Sequence, residues 1–154
     1  MTTALTIMRL QPFHNGHKKI IDTMLKENEK VILLIGSMDS KDEKNPYSFE
    51  KRFQMVEKIY LNEMKNNRLF VRGIKDIHNP PKWVDFVKRH LPFKATKYYC
   101  GTGQDATLFK TKGFETKEFF REVLPISGTK IRNKIKEGDP SWKQDVPKEI
   151  HSLI

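Results

Sequence analysis

Residues 9–17 form a polar turn between two segments whose patterns predict different secondary structures. Before the turn, Thr3–Met8 is an apolar run typical of a buried strand; after it, residues 18–26 have the apolar spacing of an amphipathic helix. A chain that passes from a strand through a turn into a helix directs backbone N–H groups and the positive end of the helix dipole toward one point. Because this arrangement binds anions, the opening of the chain predicts an α/β fold with a phosphate site at its first turn.

The turn carries two histidines, His14 and His17, together with Arg9. Histidines three residues apart at a helix start fall on one side of the helix, where they suit a phosphate that gains charge during a reaction. A zinc ion would lack ligands, because the chain has one cysteine and the turn has no nearby carboxylate. A polar loop without a ligand is the plain alternative, and these residues alone leave it open.

Residues 127–132 are a second candidate phosphate site. Ser127 and Thr129 open a predicted helix over residues 128–137, and Arg132 follows Thr129 by three residues, so both side chains point the same way. A guanidinium suits a polyphosphate because its fork binds two oxygens at once. A capped surface helix with a solvated Arg132 would give the same pattern.

Apolar periodicity along the chain predicts a regular alternation of strands and helices. Strands are predicted at residues 3–9, 30–35, 68–74, 97–100 and 118–123, and helices at residues 16–28, 48–65, 81–90, 104–112, 128–137 and 147–153. The alternation predicts a single α/β domain over residues 1–154, Rossmann-like and doubly wound, with about five parallel strands and helices on both faces. Ligands of such sheets bind beyond the carboxyl ends of the strands, where residues 9–17, 36–37, 74–79 and 101–104 converge.

The composition limits the class of protein. With 154 residues, 37% hydrophobic and 31% charged, the chain suits one soluble globular core. No apolar run reaches the roughly 20 residues of a membrane span, the first residues lack a secretory signal, and the single Cys100 fits a reducing compartment. We therefore expect a cytoplasmic protein.

The net charge of +10 permits nucleic-acid binding. The basic residues are nevertheless scattered among acids and apolar positions, and no zinc finger, basic arm or ribonucleoprotein motif is found. Small anionic substrates and a solvated surface explain the excess better. We expect small-molecule nucleotides as partners, neither nucleic acid nor a membrane, and assembly into a homo-oligomer.

The residues 11–17, Gln-Pro-Phe-His-Asn-Gly-His, resemble the H-x-G-H signature of the nucleotidyltransferase superfamily, in the version found in archaeal-type nicotinamide mononucleotide adenylyltransferases. Further pieces extend the resemblance in family order over nearly the whole chain: Gly36-Ser37, Asn45-Pro46-Tyr47, Glu50-Lys51-Arg52, Asp76-Ile77-His78-Asn79, Trp83-Val84, Gly101 and residues 126–132. The pairing of H-x-G-H with I-S-x-T-x-I-R near the other end is the specific part.

The resemblance implies an attack by the acceptor's phosphate oxygen on the α-phosphorus of ATP, with Mg²⁺ held mainly through the substrate phosphates and not by protein ligands. It implies His14, His17 and Arg132 as catalytic residues. The implied ATP-binding residues are Arg9, Leu10, Gln11, Phe13, His14, Gly16, His17, Ile126, Ser127, Thr129 and Arg132. The implied acceptor-binding residues are Gly36, Ser37, Asn45, Arg52, Trp83 and Gly101, with Trp83 stacking on nicotinamide; on an amphipathic helix Trp83 also has the alternative of packing in the core.

The sequence departs from the family pattern at three places: Met8 stands where Gly is usual, Leu10 where Phe is usual, and Gly101-Thr102-Gly103-Gln104 where Gly-Asn is common. The last departure concerns the acceptor side, so the phosphate chemistry is better supported than the acceptor. Three alternatives stay open: a same-fold adenylyl- or cytidylyltransferase with another phosphorylated acceptor, a non-catalytic nucleotide-binding protein, and a basic nucleic-acid binder.

Overall fold

The computed structural model describes residues 2–101, 105–119 and 125–154. They contain five strands: β1 (Thr3–Met8), β2 (Lys30–Ile35), β3 (Leu69–Gly73), β4 (Lys97–Gly101) and β5 (Glu115–Phe119). All neighbouring strands run parallel, in the order β3-β2-β1-β4-β5. The chain therefore winds outward from β1 in one direction and then returns to add β4 on the other side. This reversal beside β1 is the switch point at which open α/β sheets bind ligands.

Helices cover both faces of the sheet. They are α1 (Asn15–Glu27), α2 (Phe49–Lys65), α3 (Pro80–Arg89), α4 (Ala106–Thr111) and α5 (Gly128–Glu137), followed by 3₁₀ helices at Pro140–Asp145 and Lys148–Leu153. One core lies between the sheet and α1, α2 and α5, and a second lies between the sheet and α3 and α4. Strand β2 serves both cores, because Leu33 faces the first and Ile32 and Leu34 face the second. The predicted fold class is confirmed.

The predicted helix starts have the expected local chemistry. The hydroxyl of Ser48 accepts the backbone N–H of Lys51 at 3.2 Å and caps α2. Ser127 caps α5 in the same way, with the N–H of Lys130 at 3.4 Å. Helix α5 ends at Gly138, whose φ of 75° lies in the left-handed region.

Two predicted elements need correction, and one observed element was not predicted. The fifth strand is described over Glu115–Phe119, so it begins three residues before the predicted range 118–123, of which 120–123 lie outside the described residues. As an edge strand it is mostly polar, so the later apolar residues misdirected the prediction. The predicted helix 147–153 is a 3₁₀ helix, and the 3₁₀ helix at Pro140–Asp145 was not predicted. Gln104, the predicted start of the fourth helix, also lies outside the described residues.

No helix in the described part of the chain is long and apolar enough to cross a membrane.

Candidate functional site

The turn after β1 is anchored by apolar side chains. Leu10 and Phe13 are both 0% exposed and belong to the core under α1 and α2. Leu10 has a φ of 55°, an uncommon conformation for a residue with a side chain. Leu10 and Phe13 expose no surface through which they could make the predicted contact with ATP. Their observed place is structural, because they fix the course of the turn that presents its neighbours.

His14 and His17 hold each other at the start of α1. Nδ1 of His14 accepts the backbone N–H groups of Gly16 and His17 at 3.1 and 3.4 Å, and Nδ1 of His17 accepts the backbone N–H of His14 at 3.1 Å. The two rings stack with their centroids 3.6 Å apart and 19° between their planes. Because each Nδ1 accepts an N–H, each neutral ring carries its proton on Nε2. The motif therefore supplies two parallel Nε2–H donors.

The surroundings keep His17 neutral. Burial, and after it the electrostatic interaction with His14, lowers the pKa of His17 well below its usual range. Gly16 is required for steric reasons, since a Cβ there would lie 2.9 Å from Cε1 and 3.0 Å from Nδ1 of His14. The spacing of the H-x-G-H motif thus follows from the hydrogen bonds by which each histidine ring caps backbone N–H groups at the start of α1.

Arg132 connects α5 to the same turn. Its Nη1 donates to the carbonyl oxygen of Gln11 at 2.7 Å, and its Nη2 donates to the hydroxyl oxygen of Thr129 at 3.2 Å. A Cβ at Gly128 would lie 3.0 Å from Nη1 of Arg132 and 3.4 Å from the Gln11 carbonyl, so this glycine permits the approach. The two predicted phosphate sites are therefore parts of one site.

Arg9 is oriented by a chain of polar contacts. Its Nε and Nη2 both donate to Oδ1 of Asn45, the first at 3.2 Å, and Nη2 also donates to the carbonyl oxygen of Lys44 at 3.3 Å. Nδ2 of Asn45 donates to Oδ1 of Asp42 at 3.0 Å. Asn45 is buried, with 8% exposure, so its observed role is to position Arg9. Its predicted contact with the acceptor stays a prediction.

Arg52 lies inside the protein and is 0% exposed. Its Nη1 donates to the carbonyl oxygens of Arg9 and Gly36 at 2.9 and 2.8 Å, and its Nη2 donates to that of Ser37 at 3.2 Å. Arg52 exposes no atom that could make the predicted direct contact with the acceptor. The guanidinium instead joins the carboxyl ends of β1 and β2.

Positive charge is concentrated at this edge of the sheet. Burial lowers the pKa of Arg52 and that of Arg132, and in both cases the charge of Arg9 is the next cause. The guanidinium group of Arg9 therefore lies within electrostatic reach of both Arg52 and Arg132. An anion would stabilise such an arrangement, and a polyphosphate is suited to it in charge.

Three cavities open here. The histidine cavity has a volume of 330 Å³, and its lining includes His14, Gly16, His17, Gly101, Phe119 and Ile126. The tryptophan cavity has a volume of 540 Å³, and its lining includes Gly36, Ser37, Asp76, His78, Trp83, Asp105 and Leu108. The arginine cavity has a volume of 480 Å³, and its lining includes Tyr47, Thr129 and Arg132. Ile7 and Arg9 line both the histidine and the tryptophan cavity, so these two meet at the end of β1.

The cavities sort the predicted acceptor residues. Gly36, Ser37 and Trp83 lie together in the tryptophan cavity, whereas Gly101 lies with the histidines. Asn45 and Arg52 line neither of these cavities. Trp83 is half-buried and also packs against the core through Phe86, with ring centroids 6.1 Å apart. The surroundings of Trp83 therefore allow both interpretations, a ring that faces the cavity and a ring that packs in the core.

Sequence reasoning missed several contributors. Asp76, His78 and Asp105 line the tryptophan cavity, yet only the first two were noticed, as parts of a motif without a role. Gln11 and Tyr47 form a reciprocal pair that ties the loop before α2 to the first turn: Nε2 of Gln11 donates to the Tyr47 carbonyl at 3.0 Å, and the Tyr47 N–H donates to Oε1 of Gln11 at 2.9 Å. No local sequence pattern predicts this pair, because its residues are 36 positions apart.

Comparison with known proteins identifies the class. A family model described as cytidylyltransferase-like matches residues 9–134. With the paired histidines beside β1 and the doubly wound sheet, this match makes the chain a nucleotidyltransferase of the cytidylyltransferase-like family.

Relatives of known function narrow this assignment. The chain is 35% identical to the nicotinamide-nucleotide adenylyltransferase of Methanocorpusculum labreanum, over 100% of this chain and 90% of the relative. It is 32% identical to the enzyme of that name from Pyrobaculum aerophilum, over 100% of this chain and 88% of the relative. The chain belongs to the nicotinamide-nucleotide adenylyltransferase family, and the resemblance found in its motifs is confirmed.

Solved structures agree with the fold. A bifunctional NMN adenylyltransferase/ADP ribose pyrophosphatase of Francisella tularensis, complexed with AMP and a manganese ion, matches with a TM-score of 0.73 and 25% identity over 94% of this chain. The chain spans 44% of that bifunctional protein. A structure from Vibrio parahaemolyticus, named as a candidate nicotinate-nucleotide adenylyltransferase, matches over 99% of both chains, with a TM-score of 0.60 and 18% identity, a likeness of fold.

Proposed function

We propose that the chain transfers the adenylyl group of ATP to nicotinamide mononucleotide, giving NAD and pyrophosphate. The observation that carries this proposal is the junction of two cavities at Arg9. On one side lie two Nε2–H donors, and on the other lies an indole beside an open space of 540 Å³. The activity is the one named for the curated relatives.

The reaction joins two phosphates. An oxygen of the acceptor's phosphate attacks the α-phosphorus of ATP, the bond from that phosphorus to the bridging oxygen breaks, and pyrophosphate leaves with the electron pair. Negative charge grows on the leaving oxygen and spreads over the phosphate oxygens. No enzyme nucleophile is required, so catalysis consists of positioning and charge stabilisation.

The residues of the histidine and arginine cavities suit these two tasks. The Nε2–H groups of His14 and His17 would donate to oxygens of the α- and β-phosphates, and Arg9 and Arg132 would balance the charge of the polyphosphate. The start of α5 adds backbone N–H groups and the hydroxyl of Thr129 for the outer oxygens. Fixed donors are effective here because they need not reorganise as charge develops.

Magnesium belongs to this proposal as a partner of ATP. The donors around the histidine cavity are N–H groups and cations, which fit a polyphosphate that carries its own metal ion, with phosphate and water as ligands. Within the described ranges, no group of three or more His, Cys, Asp or Glu side chains is placed to hold a metal ion. When bound, Mg²⁺ would neutralise part of the phosphate charge.

The decisive experiment measures pyrophosphate release from ATP or CTP, each with a panel of phosphorylated acceptors. We expect the fastest release with ATP and nicotinamide mononucleotide, together with an equal amount of NAD. Faster turnover with CTP or another acceptor would favour a same-fold transferase of different specificity. ATP binding without release for any acceptor would favour a non-catalytic nucleotide-binding protein.

A homo-oligomeric state, a cytoplasmic location and the lack of a nucleic-acid partner stay predictions. Sedimentation analysis of the purified protein tests the first of these. Titration with duplex DNA tests the third, and we expect any binding to vanish near physiological salt.

A further inference from the structure

The tryptophan cavity contains negative charge as well as an aromatic face. Asp105, at the start of α4, and Asp76, after β3, both line it together with Trp83. A ring that lies on the indole would therefore have carboxylates among its neighbours. Their effect on a ligand depends on whether the protein already neutralises them.

Asp76 is largely engaged with its own loop. Its Oδ1 accepts the backbone N–H of His78 at 2.8 Å, and its Oδ2 lies 3.7 Å from Nδ1 of the same residue. The side chain of His78 is 85% exposed, so this pair is mostly solvated. The carboxylate of Asp76 is therefore hydrogen-bonded within its own loop and nearly half exposed to solvent, which screens its charge.

Asp105 is different. Its Oδ2 accepts the phenolic O–H of Tyr98 at 2.9 Å, and among the described residues no cationic nitrogen lies within 4.0 Å of its carboxylate. Burial, and after it the charge of Asp105, raises the pKa of Tyr98 well above its usual range, so the phenol stays a neutral donor. Arg9, the cation at the boundary of this cavity, is bound to Asn45 and the Lys44 carbonyl. Asp105 thus has no ion-pair partner within 4.0 Å among the described residues, and it shares the lining of the tryptophan cavity with Trp83.

The two common pyridine mononucleotides differ in the property that such a charge would detect. Both have a cationic pyridinium ring, which a carboxylate and an indole face attract. Nicotinamide mononucleotide carries a neutral carboxamide on this ring, with N–H donors, whereas nicotinate mononucleotide carries a carboxylate in its place. Like charges brought together in a partly enclosed site oppose binding, and this is how an interface rejects the wrong partner.

We propose that Asp105 is a specificity-determining residue that makes the tryptophan cavity select an acceptor with a neutral carboxamide over one with a carboxylate. The inference rests on the proposed function, because it takes this cavity as the acceptor site. Asp105 acts on the substituent of the ring and takes no part in phosphate transfer.

The test compares kcat/KM for nicotinamide mononucleotide and nicotinate mononucleotide, with ATP as the donor, in three forms of the full chain. These are the wild type, Asp105→Asn and Asp85→Asn. Asn at position 105 keeps the size of the side chain and an oxygen for the Tyr98 hydroxyl while removing the charge. Asp85 is the matched control, since it lies on α3 outside the cavity, has a side chain that is 52% exposed and pairs with Lys112 at 3.2 Å.

We expect the wild type to prefer the carboxamide by about tenfold or more, which corresponds to roughly 1.4 kcal/mol. Asp105→Asn should reduce that ratio about tenfold, by raising the value for nicotinate mononucleotide and lowering that for nicotinamide mononucleotide. Asp85→Asn should keep the wild-type ratio.

Equal use of the two acceptors by the wild type would overturn the inference, and this result needs no folded variant. An unchanged ratio in a folded Asp105→Asn protein would overturn it as well. Failure of the proposed function has a different signature, namely that no form of the protein makes a dinucleotide from either acceptor.

Discussion

The histidine cavity and the tryptophan cavity lie on two sides of one strand end, yet they are built differently. In the histidine cavity, His14 and His17 fix each other through backbone bonds within a single helical turn. The tryptophan cavity is assembled from the ends of several strands, and two of its residues, Ser37 and His78, have positive φ values of 47° and 49°. The chemistry of transfer is thus encoded locally, whereas acceptor recognition depends on how the strands are ordered.

The largest effect is expected for a substitution that changes the histidine cavity and leaves the tryptophan cavity intact. His17→Ala removes one Nε2–H donor, and we expect kcat to fall by ~10²–10³-fold, as for the loss of one oxyanion-type donor. Affinity for nicotinamide mononucleotide should change much less, because Trp83 lies in the other cavity. Steady-state kinetics with circular dichroism checks both statements.

His90→Ala is the matched control for this variant. His90 follows α3, and its Nδ1 lies 2.8 Å from the carbonyl oxygen of Phe86, outside all three cavities. Its removal should leave kcat near the wild-type value. If His17→Ala stayed within a few-fold of wild type, His17 would no longer count as a catalytic residue.

The next largest effect is expected for a substitution in the tryptophan cavity. Trp83→Ala should weaken nicotinamide mononucleotide by roughly 1–3 kcal/mol, the scale of a lost aromatic stack on a base, with little change in ATP affinity. Trp83→Phe keeps an aromatic face and should restore part of the affinity. Fluorescence titration gives a second readout, since quenching by the acceptor should disappear in Trp83→Phe and persist in Trp142→Phe.

The core interpretation of Trp83 predicts a different pattern. If the indole served only to pack against Phe86, Trp83→Ala would lower the free energy of unfolding by ~3–5 kcal/mol without preference between ligands. An unchanged Michaelis constant for the acceptor in a folded Trp83→Ala protein would contradict stacking.

A smaller effect tests the boundary between the cavities. Asn45→Ala removes the anchor of Arg9 but keeps its charge, so we expect kcat/KM to fall about tenfold through misplacement of the guanidinium. In a double-mutant cycle with Arg9→Ala, the two losses should be strongly non-additive. Asn62→Ala, an exposed change on α2, is the control. Additive losses would show that Asn45 acts independently of Arg9.

The smallest effect is on stability. The pKa of His17 is lowered in the folded protein, while in the unfolded chain it is about 6.5. As the pH falls below about 6.5 the unfolded state binds the proton first, so the contribution of neutral His17 is complete above that pH and is lost below it. From pH 7 to 5.5 we expect the free energy of unfolding to fall by about 1 kcal/mol for this reason. Denaturant titrations should find this part of the slope missing in His17→Gln; equal slopes in both proteins would contradict it.

Much of the fold could be predicted from the sequence because its signals are short-range. Strand β2 is apolar over nearly its whole length, as a strand covered on both faces must be, and Ser48 and Ser127 mark their helix starts. The start of strand β5 was predicted three residues too late, because the polar residues that an edge strand exposes resemble those of a loop. The burial of Leu10 and Phe13 could have been anticipated from residue type, since apolar side chains in a polar turn usually point inward.

The rest of the site could not be predicted, because it depends on contacts between distant parts of the chain. The bond from Arg132 to the Gln11 carbonyl exists only once α5 packs beside the first turn. An arginine at position 52 looks like an ordinary surface residue of an amphipathic helix, and nothing nearby announces the carbonyls that it binds. Asp105 reaches the tryptophan cavity because β4 is added beside β1.

The most direct test of the central claim follows the phosphorus atoms of ATP during reaction with nicotinamide mononucleotide. When ATP is labelled at the α-phosphorus, we predict that the label appears in NAD. When ATP is labelled at the γ-phosphorus, we predict that it appears in pyrophosphate. Label from the γ-position in inorganic monophosphate, or from the α-position in free AMP or ADP without NAD, would show hydrolysis or another transfer and would contradict the account.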